Sequence, residues 1–223
     1  MQKFDTPAAI STVIDIPAGR IQLIAADRSD TTVEVLPADP SKSRDVKAAE
    51  QIEVAYGDGV LRIQAPEAKN RILGHTGSVE VTVQLPAGSH VEAKSAAAEF
   101  RGVGRLGDVV CADGHRSVKI DEAASARLTV LDGDVLVGRL GGPAEISTQK
   151  GDITIDEALA GSLALSAQMG SVSVGAAAGV SASLDAGTGY GRIHNALKNT
   201  DGAGAGLTIH ATTQHGDITA RSL

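Results

Sequence analysis

Tyr190, Arg192 and His194 lie within a single Gly-rich run, Gly187-Thr188-Gly189-Tyr190-Gly191-Arg192-Ile193-His194. A phenol ring, a guanidinium and an imidazole presented together can take a planar or anionic ligand, by stacking on the ring and pairing with the cation. A second grouping, His115 and Arg116, falls in the run Asp113-Gly114-His115-Arg116-Ser117. These five residues are the expected binding positions. A solvated surface turn would also account for either group. Three acidic residues recur after glycine, Asp134, Asp152 and Asp217. A ladder of carboxylates could hold a cation, but such residues also accept hydrogen bonds from their own turns. Neither the calcium-loop spacing nor a His-Glu-x-x-His pair is present, so no metal and no cofactor is expected.

Other patterns point to chemistry more weakly. Gly102-Val103-Gly104-Arg105-Leu106-Gly107 fits G-x-G-x-x-G, but Asp108-Val109-Val110-Cys111 then reads as a strand. Dinucleotide binding needs a helix to begin there, so this is read as a corner. No nucleophile elbow or P-loop occurs. Glu145, Lys150, Asp156 and Glu157 are polar residues that an outer sheet face would carry in any case. The catalytic residues are therefore unknown, and the expectation leans against an enzyme.

These residues are positioned by a repeat. Gly133-Asp134-Val135-Leu136-Val137 returns as Gly151-Asp152-Ile153-Thr154-Ile155, as Gly170-Ser171-Val172-Ser173-Val174, and as Gly216-Asp217-Ile218-Thr219. Gly133 and Gly151 are 18 residues apart, Gly151 and Gly170 are 19 apart. A period near 20 in short β-branched runs predicts stacked rungs, none of which buries its apolar row alone. The fold expected is all-β: a parallel β-solenoid, or β-helix, over residues 89–223, with a β-rich section over 1–88 that is continuous with it and caps it. Six or seven rungs at about 4.8 Å each make a rod roughly 30 Å long. The columns expected to face inward align Val109 and Cys111 with Leu128 and Val130, Ile146 and Thr148, and Leu165 and Ala167. On sequential stacking the His115 and Tyr190 turns are four rungs apart, roughly 19 Å, so they make separate sites. Both turns read as longer than the others, and Lys198 to Gly206 as a Gly-rich loop.

The first section alternates apolar and polar residues, as in Ile10, Thr12, Ile14, Ile16 and again in Val79, Val81, Val83, Leu85. Period-2 alternation predicts half-buried strands. Ser43 to Glu50 suits either a short helix or an extended linker. Ile16-Pro17-Ala18-Gly19 and Leu85-Pro86-Ala87-Gly88 read as two equivalent turns.

The Gly-Asp strands, the two Pro-Ala-Gly turns, and the pair Gly189-Tyr190-Gly191-Arg192-Ile193-His194-Asn195 and Gln214-His215-Gly216-Asp217-Ile218 together resemble the bacterial putative-adhesin family of β-strand-repeat proteins, a domain of unknown function. The resemblance runs from about Phe4 to Leu223 and implies a β-solenoid; it supplies no catalytic residues.

Composition agrees with a narrow core. Apolar residues make up 42% and aromatics 2%, which suits an interior of Val, Ile, Leu and Ala. The formal charge of −7 argues against a nucleic-acid partner. Cys111 is the sole cysteine and reads as a buried thiol. With no signal-like segment and no apolar run of membrane length, a cytoplasmic location is expected. The expected function is a non-catalytic scaffold or adhesin-like interaction protein binding a protein or glycan. The alternatives are an enzyme acting on a glycan or secondary metabolite, and a carbohydrate-binding module. Open rod ends suggest homo-oligomers by end-to-end or edge pairing.

Overall fold

A computed structural model describes residues 1–66 and 77–223, apart from the side chains at 113–115 and 203. His75 and the His115 side chain lie outside what is described. Among the described residues the chain is all-β with one α-helix, and 17 strands join in one sheet. That sheet is mixed rather than purely parallel, for reasons found in the first section of the chain.

The repeats fold as strand pairs meeting at a Gly corner; each pair is a rung. β7 (His90–His115) and β8 (Ser117–Asp132) run through corners and serve three rungs between them. A third is completed by β9 (Val135–Leu140). Then come β10 (Ala144–Lys150) with β11 (Ile153–Ala158), and β12 (Gly161–Met169) with β13 (Val172–Ala176). The last two pairs are β14 (Ala182–Tyr190) with β15 (Ile193–Ala196), and β16 (Leu207–His215) with β17 (Ile218–Ser222). Pairing is parallel at each described contact among β7 to β17. Ile146 lies between Leu128 and Leu165, and Ile153 between Val135 and Val172, all buried. Polar residues alternate with them and face out, so stacking removes the apolar rows from water.

One column slips by two residues. Val109 pairs with Ala126 and Cys111 with Leu128. The two extra residues of the His115 turn are absorbed as a register shift between Cys111 and His115. Parity is kept, so both side chains stay buried, and burial raises the Cys111 thiol far above its usual range. The Tyr190 run, by contrast, is not longer than its neighbour. Tyr190 pairs with His215 and Ile193 with Ile218, three residues on in each strand.

The order of stacking differs from the order of the sequence. β16 pairs with both β12 and β14, and β17 with both β13 and β15. The C-terminal rung is therefore intercalated between its two predecessors, and β14–β15 forms the outer end. The N-terminal side repeats this device. β2 (Ser11–Ala26) pairs in parallel with β7 on one side, and with β5 (Val60–Gln64) and β6 (Val79–Pro86) on the other.

Ile16 to Gly19 is consequently no turn equivalent to Leu85–Gly88. It lies inside continuous β2, and a Cβ on Gly19 would sit 1.9 Å from the Val79 carbonyl oxygen. Gly88 occupies an open turn.

Antiparallel strands close that end. β3 (Asp30–Pro37) pairs with β6, β1 (Gln2–Asp5) with β3, and β4 (Glu53–Gly57) with β5. Ser43 to Glu50 is helical, in α1 (Ser43–Gln51). Its buried Asp45 accepts the Ser78 amide at 3.0 Å, anchoring the helix beside β6. The Phe4 and Tyr56 rings meet at 5.5 Å over the core.

Thr12 points inward with Ile10, Ile14 and Ile16, and its hydroxyl is buried without a hydrogen-bond partner. An orphan buried polar group costs about 1–3 kcal/mol. Thr12→Val keeps the shape and removes that cost. It is expected to raise the melting temperature by a few degrees, and a fall in a calorimetric scan would contradict the assignment.

Candidate functional site

The corner between the two strands of each rung places the candidate residues. Five positions align there across adjacent rungs: Asp132, Lys150, Met169, His215 and Tyr190. Tyr190 and His215 stack, with centroids 5.1 Å apart and planes 13° from parallel. Tyr190 is 76% exposed and Met169 52%, so the stripe presents an aromatic ring and a thioether to solvent from a fixed β frame. His215 is the residue that sequence reasoning missed as a site member. The signal existed, since both residues stand just before a glycine in matching motifs.

Beyond the corner glycine runs a second column, Asp134, Asp152, Ser171, Asp217 and Arg192. Each of its first four side chains bonds the backbone amide of the next rung. Asp134 accepts the Asp152 amide at 2.9 Å, and Asp152 accepts the Ser171 amide at 2.7 Å. The Ser171 hydroxyl accepts the Asp217 amide at 3.3 Å, and Asp217 accepts the Arg192 amide at 2.8 Å. The carboxylates are thus engaged as caps of the neighbouring corner. No group of three His, Cys, Asp or Glu side chains is placed to hold a metal ion among the described residues.

Arg192 closes the ladder. Its guanidinium donates to Asp217 at 3.1 Å, though its side chain is 89% exposed. The amide and guanidinium of Arg192 hold the Asp217 carboxyl below the usual carboxylate range. Folding therefore gains from Asp217 ionised; that gain is present above the unfolded carboxylate range and is lost as pH falls through the depressed folded value. Arg192→Ala is expected to move the Asp217 carboxyl titration, followed by NMR, upward. An unchanged midpoint would show that the pair does not form.

Arg192 thus has a carboxylate partner already, which reduces its use for an anionic ligand. His194 is exposed and pairs in register with Thr219. Arg116 is exposed on the β7–β8 rung, its amide bonded to the Ala98 carbonyl at 2.9 Å. The intercalated rung places Arg116 five steps from Arg192 rather than four, about 24 Å, so the two groups remain apart.

The outer faces carry ion pairs between rungs. Arg127 meets Glu145 at 3.3 Å, Arg139 meets Glu157 at 3.2 Å, and Lys150 meets Asp132 at 3.9 Å. Exposed pairs of this kind contribute about 0–1 kcal/mol each. Gly102 to Gly107 lies inside β7 with no helix following, so the dinucleotide pattern has no structural counterpart. Two shallow open grooves, about 490 and 400 Å³, lie elsewhere, beside Arg105 and Arg139 and beside Arg20 and Arg101. No helix is long and apolar enough to cross a membrane among the described residues.

No family model matches the chain, and no curated protein matches it. Solved bacterial structures do. A "putative lipid binding protein" from Parabacteroides distasonis aligns at 8% identity and TM-score 0.46, covering 98% of this chain and 95% of that one. A "putative adhesin" from Bacteroides fragilis aligns at 13% identity and TM-score 0.45, with the same coverages. A "putative cell adhesion protein" from Clostridium sporogenes aligns at 12% identity and TM-score 0.40, covering 100% and 98%.

Proposed function

We propose that the chain is a β-solenoid scaffold of the putative-adhesin type, capped by residues 1–88, that binds another macromolecule through the Met169–His215–Tyr190 corner. The parallel registers that repeat from rung to rung support the solenoid. The observation that carries the binding role is the exposed Tyr190 ring, stacked on His215 and backed by a rigid sheet. Interaction hot spots are enriched in tyrosine, tryptophan and arginine. Arg192 and His194 flank it, Arg192 held by Asp217 as a hydrogen-bonding rim rather than a free cation.

The test is a thermal-shift screen of the purified chain against proteins, oligosaccharides, nucleotides and metal ions, repeated on Tyr190→Ala. A ligand at 100 times its dissociation constant adds about 2.7 kcal/mol of stability. A protein or glycan shift lost in Tyr190→Ala supports the reading. Turnover of a substrate abolished by one substitution would replace it with the enzyme alternative.

A further inference from the structure

The two ends of the stack are finished differently. At the N-terminal end β3 and β4 cover β6 and β5, α1 packs beside them, and Leu61, Ile63, Val81 and Val83 are fully buried. At the other end β14 pairs only with β16, and β15 only with β17, among the described residues. Their inward columns surface there. Leu163 and Ile209 are buried, yet Leu184 in the same column is half-buried. Ile218 is buried, yet Ile193 beside it is 46% exposed. The start of β14 is taken by the following loop, where the Ala182 amide donates to the Lys198 carbonyl at 3.0 Å; beyond it, strand edges around an apolar interior form a template for another strand.

We infer that this end is the surface on which two copies of the chain associate, with β14 meeting β14 and β15 meeting β15 in antiparallel pairing. The inference rests on the stacked-rung reading proposed above. Three observations favour a second copy as the occupant. A single extended peptide would satisfy one edge and leave the other, whereas an identical end brings both strands at the same separation and an apolar interior to match. The charge fits: the chain carries −7, but residues 182–206 carry two acidic groups, Asp185 and Asp201, and two basic ones, Arg192 and Lys198, a formal sum of zero. The edge is also slim, because Gly187 and Gly189 bring no side chain to it. Since the inward column of the other end is buried under β3 and β4 among the described residues, the contact is isologous and closes at two rather than growing into a filament.

The experiment is light scattering over a range of concentrations, with cysteine cross-linking. A Cβ at Gly187 meets no neighbouring atom within 4 Å, and the native thiol is buried, so Gly187→Cys supplies an accessible thiol without strain. The expected result is a two-chain mass that dissociates on dilution. A short bismaleimide should couple Gly187→Cys but not Ser166→Cys, which lies mid-stack on the outer face. Ile193→Asp should weaken the dimer at least tenfold with the circular dichroism unchanged. A monomer at every concentration, coupling through Ser166→Cys instead, or masses beyond two chains would overturn it. The stack itself is read separately, by an intramolecular Met169–His215 cross-link, so a failure of the underlying reading is distinguishable.

Discussion

Gly133→Ala is expected to destabilise the fold by roughly 4–5 kcal/mol, at the upper end for a single substitution. The added methyl carbon would lie 1.1 Å from the Arg116 carbonyl oxygen and 2.3 Å from its carbonyl carbon. Both atoms are backbone, so no side chain can swing aside. Gly133 also has φ of 154°, at the margin of the region side chains avoid. Relief requires the two rungs to part locally, which would break the bond that the Val118 amide donates to the Asp134 carbonyl at 3.0 Å. For a chain of this length the loss corresponds to roughly 10–15 °C in melting temperature. Gly187→Ala is the control, since its Cβ enters open space. Equal melting temperatures for the two variants would show that the corners do not approach as closely as described.

The same glycine explains what was legible. A turn that must pass against a neighbouring turn admits no side chain, so the repeat of Gly133, Gly151, Gly170 and Gly216 wrote the rung period directly into the chain. The inward columns followed from parity alone. This is why the slip of Val109 and Cys111 by two residues altered their partners without altering their burial. The Asp134–Asp152 ladder was half legible: equivalent positions were evident, but the choice between binding a cation and capping an amide depends on where the next rung's N–H points. Tyr190 was legible as a candidate from its run with Arg192 and His194, and its stacking on His215 was not, because the two residues are 25 positions apart. Phe100, the largest fully buried side chain, escaped a reading that gave a narrow core no need of aromatics. Gly102 beside it makes room chiefly for Leu106, since a Cβ there would sit 2.8 Å from Leu106 and at an ordinary 3.6 Å from the Phe100 ring.

Stacking order is the feature that local pattern could not contain. The rungs offer neighbours similar inward columns, although β15 brings Asn195 to the position where β13 has Val174 and β17 has Ala220. The choice is made by the connections, and the loop from Leu197 to Gly206 is long enough to let the last rung return inside its predecessor. Cysteine pairs at the corner can read this order. Met169 and His215 occupy adjacent strands in register, about 4.8 Å apart. That separation lies within the range a disulfide spans, about 4.4–6.8 Å between Cα atoms. Met169 and Tyr190 are two steps apart, about 9.6 Å, which a disulfide cannot bridge. Under mild oxidation Met169→Cys/His215→Cys is therefore expected to close fully within one chain, and Met169→Cys/Tyr190→Cys to remain free. All three positions are exposed, so the substitutions leave the core intact. The reverse pattern would mean that the rungs stack in sequence order. The open end would then belong to β16 and β17 rather than to β14 and β15, and Tyr190 would lie inside the corner stripe instead of at its edge.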